Sequence, residues 1–174
     1  PAGTGTGPAV GGMPIAAHES VIPNADRRLG RQRCRLVGIG LYDVSATERL
    51  TELQSGQVAC LRISFVNDRL PAGTPLIVGY GIITPRGEEL GVVNTEMEGV
   101  ALTAAAAGER MTVRARIELP VLHVGNYALT VGLASRTGVE PEIEDRIENA
   151  MVFRIVGGRP VYGWIHFPTQ FAIE

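Results

Sequence analysis

Lysine is absent from this sequence of 174 residues, and all sixteen of its basic residues are arginines. A phosphate-binding loop of the form G-x-x-x-x-G-K-[ST] is excluded, because its lysine has no counterpart here. Schiff-base catalysis through a lysine is excluded for the same reason. The formal net charge of −2 gives no general reason to expect nucleic acid or an anionic membrane as a partner.

Cysteine and long apolar runs are also scarce. Cys34 and Cys60 lie in apolar segments, which predicts small buried side chains and not a disulfide framework. No run approaches the ~20 apolar residues that span a bilayer, and no export signal is recognisable. These features favour a cytoplasmic location. The chain begins with proline, so we expect it to be a fragment of a longer protein.

No cluster of residues predicts catalysis, a metal site or a cofactor site. His18, His123 and His166 are scattered and have no partner at metal-ligand spacing. The acidic stretch 140–145 lacks the spacing of a calcium loop, so we expect a solvated charged loop there. The glycine-rich opening fails the strand-then-helix test for nucleotide binding. We therefore expect this chain not to be an enzyme.

Period-2 alternation between Gly/Pro turns dominates the chain after Cys34 and predicts an all-β fold. We expect an antiparallel two-sheet β-sandwich of jelly-roll or immunoglobulin-like topology over residues 26–174, preceded by a flexible arm over residues 1–25. Only residues 101–107 and 140–149 have the composition of a short helical turn, and the former suits a strand end and loop equally well. The charged residues 26–33 are expected to lead into the sandwich without joining its core. The predicted strands cover residues 35–43, 57–67, 75–84, 90–94, 111–119, 126–135, 150–156 and 161–167.

Two predicted strands carry small residues on one face, which leaves room for a ligand close to the backbone. If these faces are neighbours in one sheet, they form the floor of a shallow groove. The alternative is a face that another subunit or a loop covers. The small side chains are Gly79 and Gly81 on one strand, and Ala128, Thr130, Gly132 and Ala134 on the other.

The last predicted strand, residues 161–167, concentrates aromatic side chains. Alternation places Tyr162, Trp164 and His166 on one face, with rings roughly 7 Å apart. This spacing suits stacking against successive sugars, whose C–H faces are apolar. In the alternative interpretation, the single tryptophan anchors the core or a dimer contact. The candidate glycan-binding residues are Gly79, Gly81, Thr130, Gly132, Tyr162, Trp164 and His166.

The order of several segments resembles the C-terminal domain of Wzt, the ATP-binding subunit of ABC transporters that export O-antigen and related glycans. The resemblance covers about residues 26–167 and depends on order and spacing, since each piece alone recurs in many sandwiches. The segments are DRRLG at 26–30, VGIGLYD at 37–43, LQSGQ at 53–57, YGIITPRGEEL at 80–90, VNT at 93–95, AGE at 107–109, LHVGNYAL at 122–129 and NAMVFRI at 149–155.

The resemblance implies a non-catalytic glycan-recognition domain that binds the polysaccharide, often near its non-reducing end. It also implies an upstream ATP-hydrolysing domain, a membrane permease partner, and a location peripheral to the inner membrane. A homodimer is implied as well, and exchange of the C-terminal strand would involve residues 161–167. Two other interpretations are a sandwich that serves only dimerisation and a cupin-like enzyme; the scattered histidines argue against the enzyme.

Overall fold

The computed structural model describes residues 21–173, which form strands, turns and loops. Most of the predicted arm lies outside this range. Within it, no helix has the length and apolarity needed to cross a membrane. The strands are β1 Arg28–Leu29, β2 Cys34–Tyr42, β3 Arg49–Leu50, β4 Glu52–Gln54, β5 Val58–Asn67, β6 Pro75–Ile83, β7 Glu89–Asn94, β8 Leu102–Thr103, β9 Arg110–Glu118, β10 Gly125–Ser135 and β11 Glu142–Val156.

Two sheets build the sandwich. The larger sheet has the order β1-β11-β10-β6-β7, with β4 added to β11 and β8 added to β6, and the smaller has the order β3-β2-β5-β9. All pairings are antiparallel except that of β4 with β11. The predicted all-β two-sheet sandwich is therefore confirmed, and six predicted strands begin and end within one residue of the observed ones.

The core lies between the inward faces of the two sheets, where alternate side chains of each strand meet. Tyr127 and Phe153 stack with ring centroids 5.8 Å apart, and Phe65 of the smaller sheet belongs to the same core and has no exposed surface. Burial of each large apolar side chain contributes about 1.5–3 kcal/mol. Both cysteines are buried and unbridged, as predicted, and burial raises the pKa of Cys34 to about 12.

The acidic stretch near residue 140 does not form the predicted solvated loop or a helical turn. It begins β11, the longest described strand, and the carboxylates of Glu144 and Asp145 are fully buried. The charges can be buried because arginines from the N-terminal segment reach them. The other possible helical turn, 101–107, is a strand end and loop that includes β8.

Two ion-pair groups hold the buried carboxylates. Arg33 donates from Nε to Glu144 Oε2 over 3.1 Å and from Nη2 to Glu142 Oε2 over 2.7 Å. Arg28 Nε lies 3.3 Å from Asp145 Oδ1. None of residues 26–33 is buried, as expected, but Arg28 and Arg33 from this stretch supply the cations that face the two buried carboxylates.

Hydrogen bonds from neighbouring strands complete the two groups. The Leu36 amide donates to Asp145 Oδ2 over 2.8 Å, and the Ser135 hydroxyl donates to Glu144. Burial raises the pKa of Asp145 despite these donors. Burial acts on Glu144 in the same direction, but the hydrogen bonds from Arg33 and Ser135 hold its pKa below the ordinary value.

The predicted final strand over residues 161–167 does not form. Ile165 makes an isolated antiparallel bridge with Leu122, and its neighbours are bends or irregular chain. Ile165 packs against the core, so the C-terminal segment is attached to the sandwich at this point without extending either sheet.

We expect Glu144→Gln to lower the free energy of unfolding by about 3 kcal/mol at neutral pH, because it breaks a buried ion pair. Urea denaturation followed by circular dichroism measures this loss. Glu52→Gln is the matched control, since Glu52 forms an exposed pair with Arg154 at 3.6 Å, and such pairs contribute less than about 1 kcal/mol. Equal stabilities of the two variants would contradict the assigned role of Glu144.

We also expect the stability lost in Glu144→Gln to depend on pH. The lowered pKa of Glu144 means that its stabilisation is complete above the ordinary value of 4.5. The stabilisation is lost as the pH falls through the lower pKa of the folded state. The stability difference between wild type and Glu144→Gln should therefore shrink below about pH 4.5. A difference that grows on acidification would contradict this sign.

Candidate functional site

The two faces of small residues are neighbours in the larger sheet. Strands β6 and β10 pair so that Thr130 lies opposite Gly81 and Gly132 lies opposite Gly79. Four of the candidate residues thus form one continuous surface. A groove floor required the two small-residue faces to be neighbours in one sheet, and they are. The role of these residues as ligand contacts stays a prediction.

A groove of about 410 Å³ lies over this surface on the outer face of the larger sheet. Strands β7 and β11 supply its two banks, and both banks carry apolar and polar side chains. The apolar lining includes Ile77, Val92 and Ile143, and the polar lining includes Glu89, Asn94 and Arg146. Sequence reasoning missed Ile143 and Arg146, because it interpreted the start of β11 as a loop.

The glycines of the floor have different roles. A Cβ on Gly132 would meet no atom within 4 Å, so this residue leaves the groove open above β10. A Cβ on Gly79 would lie 2.8 Å from Asn94 Cβ and 2.9 Å from the Val93 carbonyl oxygen. Gly79 therefore permits the close approach of β7, whereas Gly132 determines how deep the groove is.

Opposite charges stand on the two banks. Arg146 on β11 is partly exposed and lies 4.0 Å from the Glu148 carboxylate, a long contact that leaves its guanidinium able to donate elsewhere. Glu89 on β7 approaches Gly81, with Oε2 3.6 Å from the position of a Cβ there. Between them, Thr130 Oγ1 accepts from the Asn149 amide over 3.2 Å, which fixes the hydroxyl. The groove thus offers a cationic donor, an anionic acceptor and a hydroxyl.

The aromatic candidates do not line the groove. Tyr162 is fully exposed, and His166 Nε2 lies 3.0 Å from Arg159 Nη1. The predicted row of rings needed a regular strand, so the failure of residues 161–167 to form one removes the basis of the ring spacing.

Trp164 anchors the C-terminal segment to two loops. Its Nε1 donates to Glu88 Oε2 over 3.0 Å, and Arg86 lies over its ring, 5.5 Å from the centroid. His123 meets the ring edge-on at 6.3 Å. Trp164 is not among the core residues, so it does not anchor the core as the alternative interpretation allowed, and its place at a dimer contact stays a prediction.

A second cleft opens between the two sheets, at the edge where β7 and β9 face one another. Its volume is about 450 Å³, and apolar side chains such as Val78, Val113 and Ile117 line it. Strand β9 is the edge of the smaller sheet, so one side of its backbone has no strand partner among residues 21–173. Across the same range, no three His, Cys, Asp or Glu side chains are grouped to hold a metal ion.

The family model described as the Wzt C-terminal domain matches residues 25–167. Among solved structures, the crystal structure of the C-terminal domain of wzt is similar, with a TM-score of 0.73 and 16% identity over 85% of this chain and 88% of that chain. At this identity the likeness shows the fold alone. The structural genomics target SoR45 aligns with a TM-score of only 0.37 at 17% identity, over 79% of this chain and 97% of that chain. No curated protein matches the sequence.

We expect Trp164→Ala to loosen the C-terminal segment while the sandwich stays folded. The lost ring contacts contribute about 1 kcal/mol, which corresponds to roughly fivefold faster hydrogen exchange. The His166 amide, which donates to the Val121 carbonyl over 2.9 Å, reports the change by NMR. Tyr162→Ala is the control, because this ring is fully exposed. Unchanged exchange in the Trp164 variant would show that the ring does not anchor the segment.

Proposed function

The chain belongs to the Wzt C-terminal domain family, and we propose that it recognises the glycan which a polysaccharide ABC transporter exports. In this proposal the domain is non-catalytic and binds the polysaccharide near its non-reducing end, which selects the polymer for export. An upstream ATP-hydrolysing domain and a membrane permease complete the transporter. The domain works in the cytoplasm, peripheral to the inner membrane.

The groove over Gly79, Gly81, Thr130 and Gly132 is the observation that carries this proposal. Sugars present apolar C–H faces together with hydroxyl groups that need hydrogen-bond partners. The groove combines apolar side chains such as Ile143 with polar ones on both banks, so it suits both kinds of surface.

Each polar group has a distinct role in this proposal. Arg146 donates to sugar oxygens, and Glu89 accepts from hydroxyl groups on the opposite bank. Thr130 Oγ1 already accepts one hydrogen bond, so its own proton remains available to donate to the glycan. Val92 and Ile143 pack against the C–H faces. Tyr162, Trp164 and His166 are not needed for this mode of binding.

A homodimer is the second part of the proposal. The C-terminal segment exposes Tyr162, Phe167, Phe171 and Ile173, and such a row of apolar side chains favours contact with another chain. The unpaired edge of β9 and the cleft beside it offer an acceptor for this segment from a second copy. Two grooves in one dimer would raise the avidity for a repeating polymer although each groove binds weakly.

The same exposed segment supports the alternative function, a sandwich that only dimerises. The two functions differ in what the groove does, so they are separable by variants that change one feature and leave the other intact.

We expect Gly132→Val to abolish most glycan binding, because the added side chain rises into the open space of the groove. Valine favours strand conformation, so the fold should be retained. Calorimetric titration with O-antigen polysaccharide from the source organism should show at least tenfold weaker binding, since the groove's contact surface is obstructed. Gly138→Val is the matched control, because a Cβ there also meets no atom within 4 Å but lies outside the groove. Undiminished binding by Gly132→Val would place the glycan elsewhere, and absence of binding by the wild-type dimer would favour the alternative function.

Removal of residues 159–174 should convert the dimer to a monomer if this segment joins the two copies. Light scattering after size-exclusion chromatography distinguishes the truncated monomer, which is lighter than the full chain of 18.5 kDa, from a dimer of twice the monomer mass. Short glycan fragments should bind the monomer as before, whereas long polymer should bind more weakly. A truncated protein that stays dimeric would contradict the assigned interface.

A further inference from the structure

The row of residues that crosses the groove floor continues beyond the β11 bank onto strand β1. Asn94 on β7 lies opposite Gly79 on β6, and Gly79 lies opposite Gly132 on β10. Gly132 lies opposite Arg146 on β11, which in turn lies opposite Leu29 on β1. Directly opposite residues of antiparallel strands share one face of the sheet, so these five positions all lie on the outer face of the larger sheet. They are called the cross-strand row below.

Leu29, at the end of the row, is an exposed apolar side chain on a fixed backbone. It is 56% exposed, while its neighbour Arg28 turns the other way, with Nε 3.3 Å from Asp145 Oδ1. On the other side, Gly30 packs so closely against β11 that a Cβ there would overlap the Glu144 carbonyl oxygen. A single exposed leucine is common on protein surfaces, but this one stands in line with the groove.

Larger side chains narrow the groove along the strands and leave it open across them. On β6 the two floor glycines lie between Ile77 and Ile83, which share their face of the strand. Gly81 is covered from β7 by Glu89, whose Oε2 lies 3.6 Å from the position of a Cβ. A Cβ on Gly132 would meet no atom within 4 Å. The open path over Gly132 therefore follows the cross-strand row.

Hydrogen-bonding groups accompany this path. Asn94 Oδ1 accepts from the Met97 amide over 2.8 Å, which fixes the side chain and leaves its nitrogen able to donate. Thr130 beside the row is only 8% exposed, and its hydroxyl accepts from the Asn149 amide, which leaves the hydroxyl proton to donate into the groove. Arg146 is the charged member of the row, and a carboxylate 4.0 Å away partly balances its charge. The row thus offers donors to sugar oxygens with little net charge.

We propose that Leu29 is a further glycan-binding residue, and that the glycan crosses the strands from β7 to β1 as a stretch of several consecutive sugars. This inference rests on the proposed function and extends its site beyond the groove. Four spacings between five neighbouring strands add up to about 19 Å, at roughly 4.8 Å each, which is longer than one or two sugar rings. A sugar over β1 would cover Leu29, and its C–H face would remove apolar surface from water.

Titration with glycan fragments of different length tests the proposal. Disaccharides and hexasaccharides are prepared by partial hydrolysis of O-antigen polysaccharide from the source organism, and binding is measured by calorimetry. Leu29→Ser should bind the hexasaccharide roughly fivefold more weakly than the wild type, because the apolar surface of the leucine is no longer there to be covered. It should bind the disaccharide, which fits within the groove, like the wild type. Leu29→Met keeps an apolar side chain of similar volume and should bind both fragments normally.

Val152→Ser is the matched control. Val152 is 57% exposed and lies on the outer face of β11 opposite Ala128, away from the cross-strand row. This variant should bind both fragments like the wild type, and thermal unfolding of both serine variants should stay close to that of the wild type, because the replaced side chains are exposed.

The possible failures are distinguishable. Hexasaccharide binding that is lost in Val152→Ser and kept in Leu29→Ser would show that the glycan runs along the strands, which would overturn the inference. Normal hexasaccharide binding by Leu29→Ser would also overturn it, while the proposed function would stand if the wild type binds and Gly132→Val does not. Absence of glycan binding by the wild type would overturn the proposed function and this inference together.

Discussion

Strand β11 can enter the sandwich because Arg28 and Arg33 neutralise the two carboxylates at its start. Glu144 and Asp145 have no exposed surface, and an unpaired buried carboxylate costs several kcal/mol. With the arginines in place, the same strand presents Ile143 and Arg146 to the opposite side, where they form one bank of the groove. The groove therefore depends on ion pairs that lie on the other face of its own strand, and the N-terminal segment is attached to the sheet by those same pairs.

Alternation along the chain predicted β2, β5, β6, β7, β9 and β10 because each of these strands has one apolar face, which is a local signal. The small-residue faces of β6 and β10 were also predictable from the sequence, because each face follows from alternation within a single strand. The first half of β11 was not predictable in this way. Its charged residues resemble a solvated loop until Arg28 and Arg33, more than a hundred residues away in the chain, are known to reach them. Ile143 and Arg146 were missed for that reason.

The segment 161–167 shows the opposite failure. It alternates well, but alternation describes a strand only where a neighbouring strand supplies hydrogen bonds. Within the described residues the segment makes one isolated bridge, Ile165 with Leu122, through backbone hydrogen bonds of Trp164 and His166. Trp164 instead meets Glu88, Arg86 and His123, which come from separate loops and cannot be inferred from spacing. Alternation tells which side chains would lie on one face if the segment were a strand. Whether the strand forms depends on a sheet edge that is free to pair with it.

The placement of charge decides what the groove can offer a ligand. Arg146 on one bank and Glu89 on the other lie on either side of a floor formed by glycines and Thr130. Because the contact between Arg146 and Glu148 is long, at 4.0 Å, the guanidinium can still donate a hydrogen bond across the groove. Any selectivity of the groove would therefore come from the placement of individual donors and acceptors, which the pairing of β10 with β11 and β6 fixes, and not from net charge.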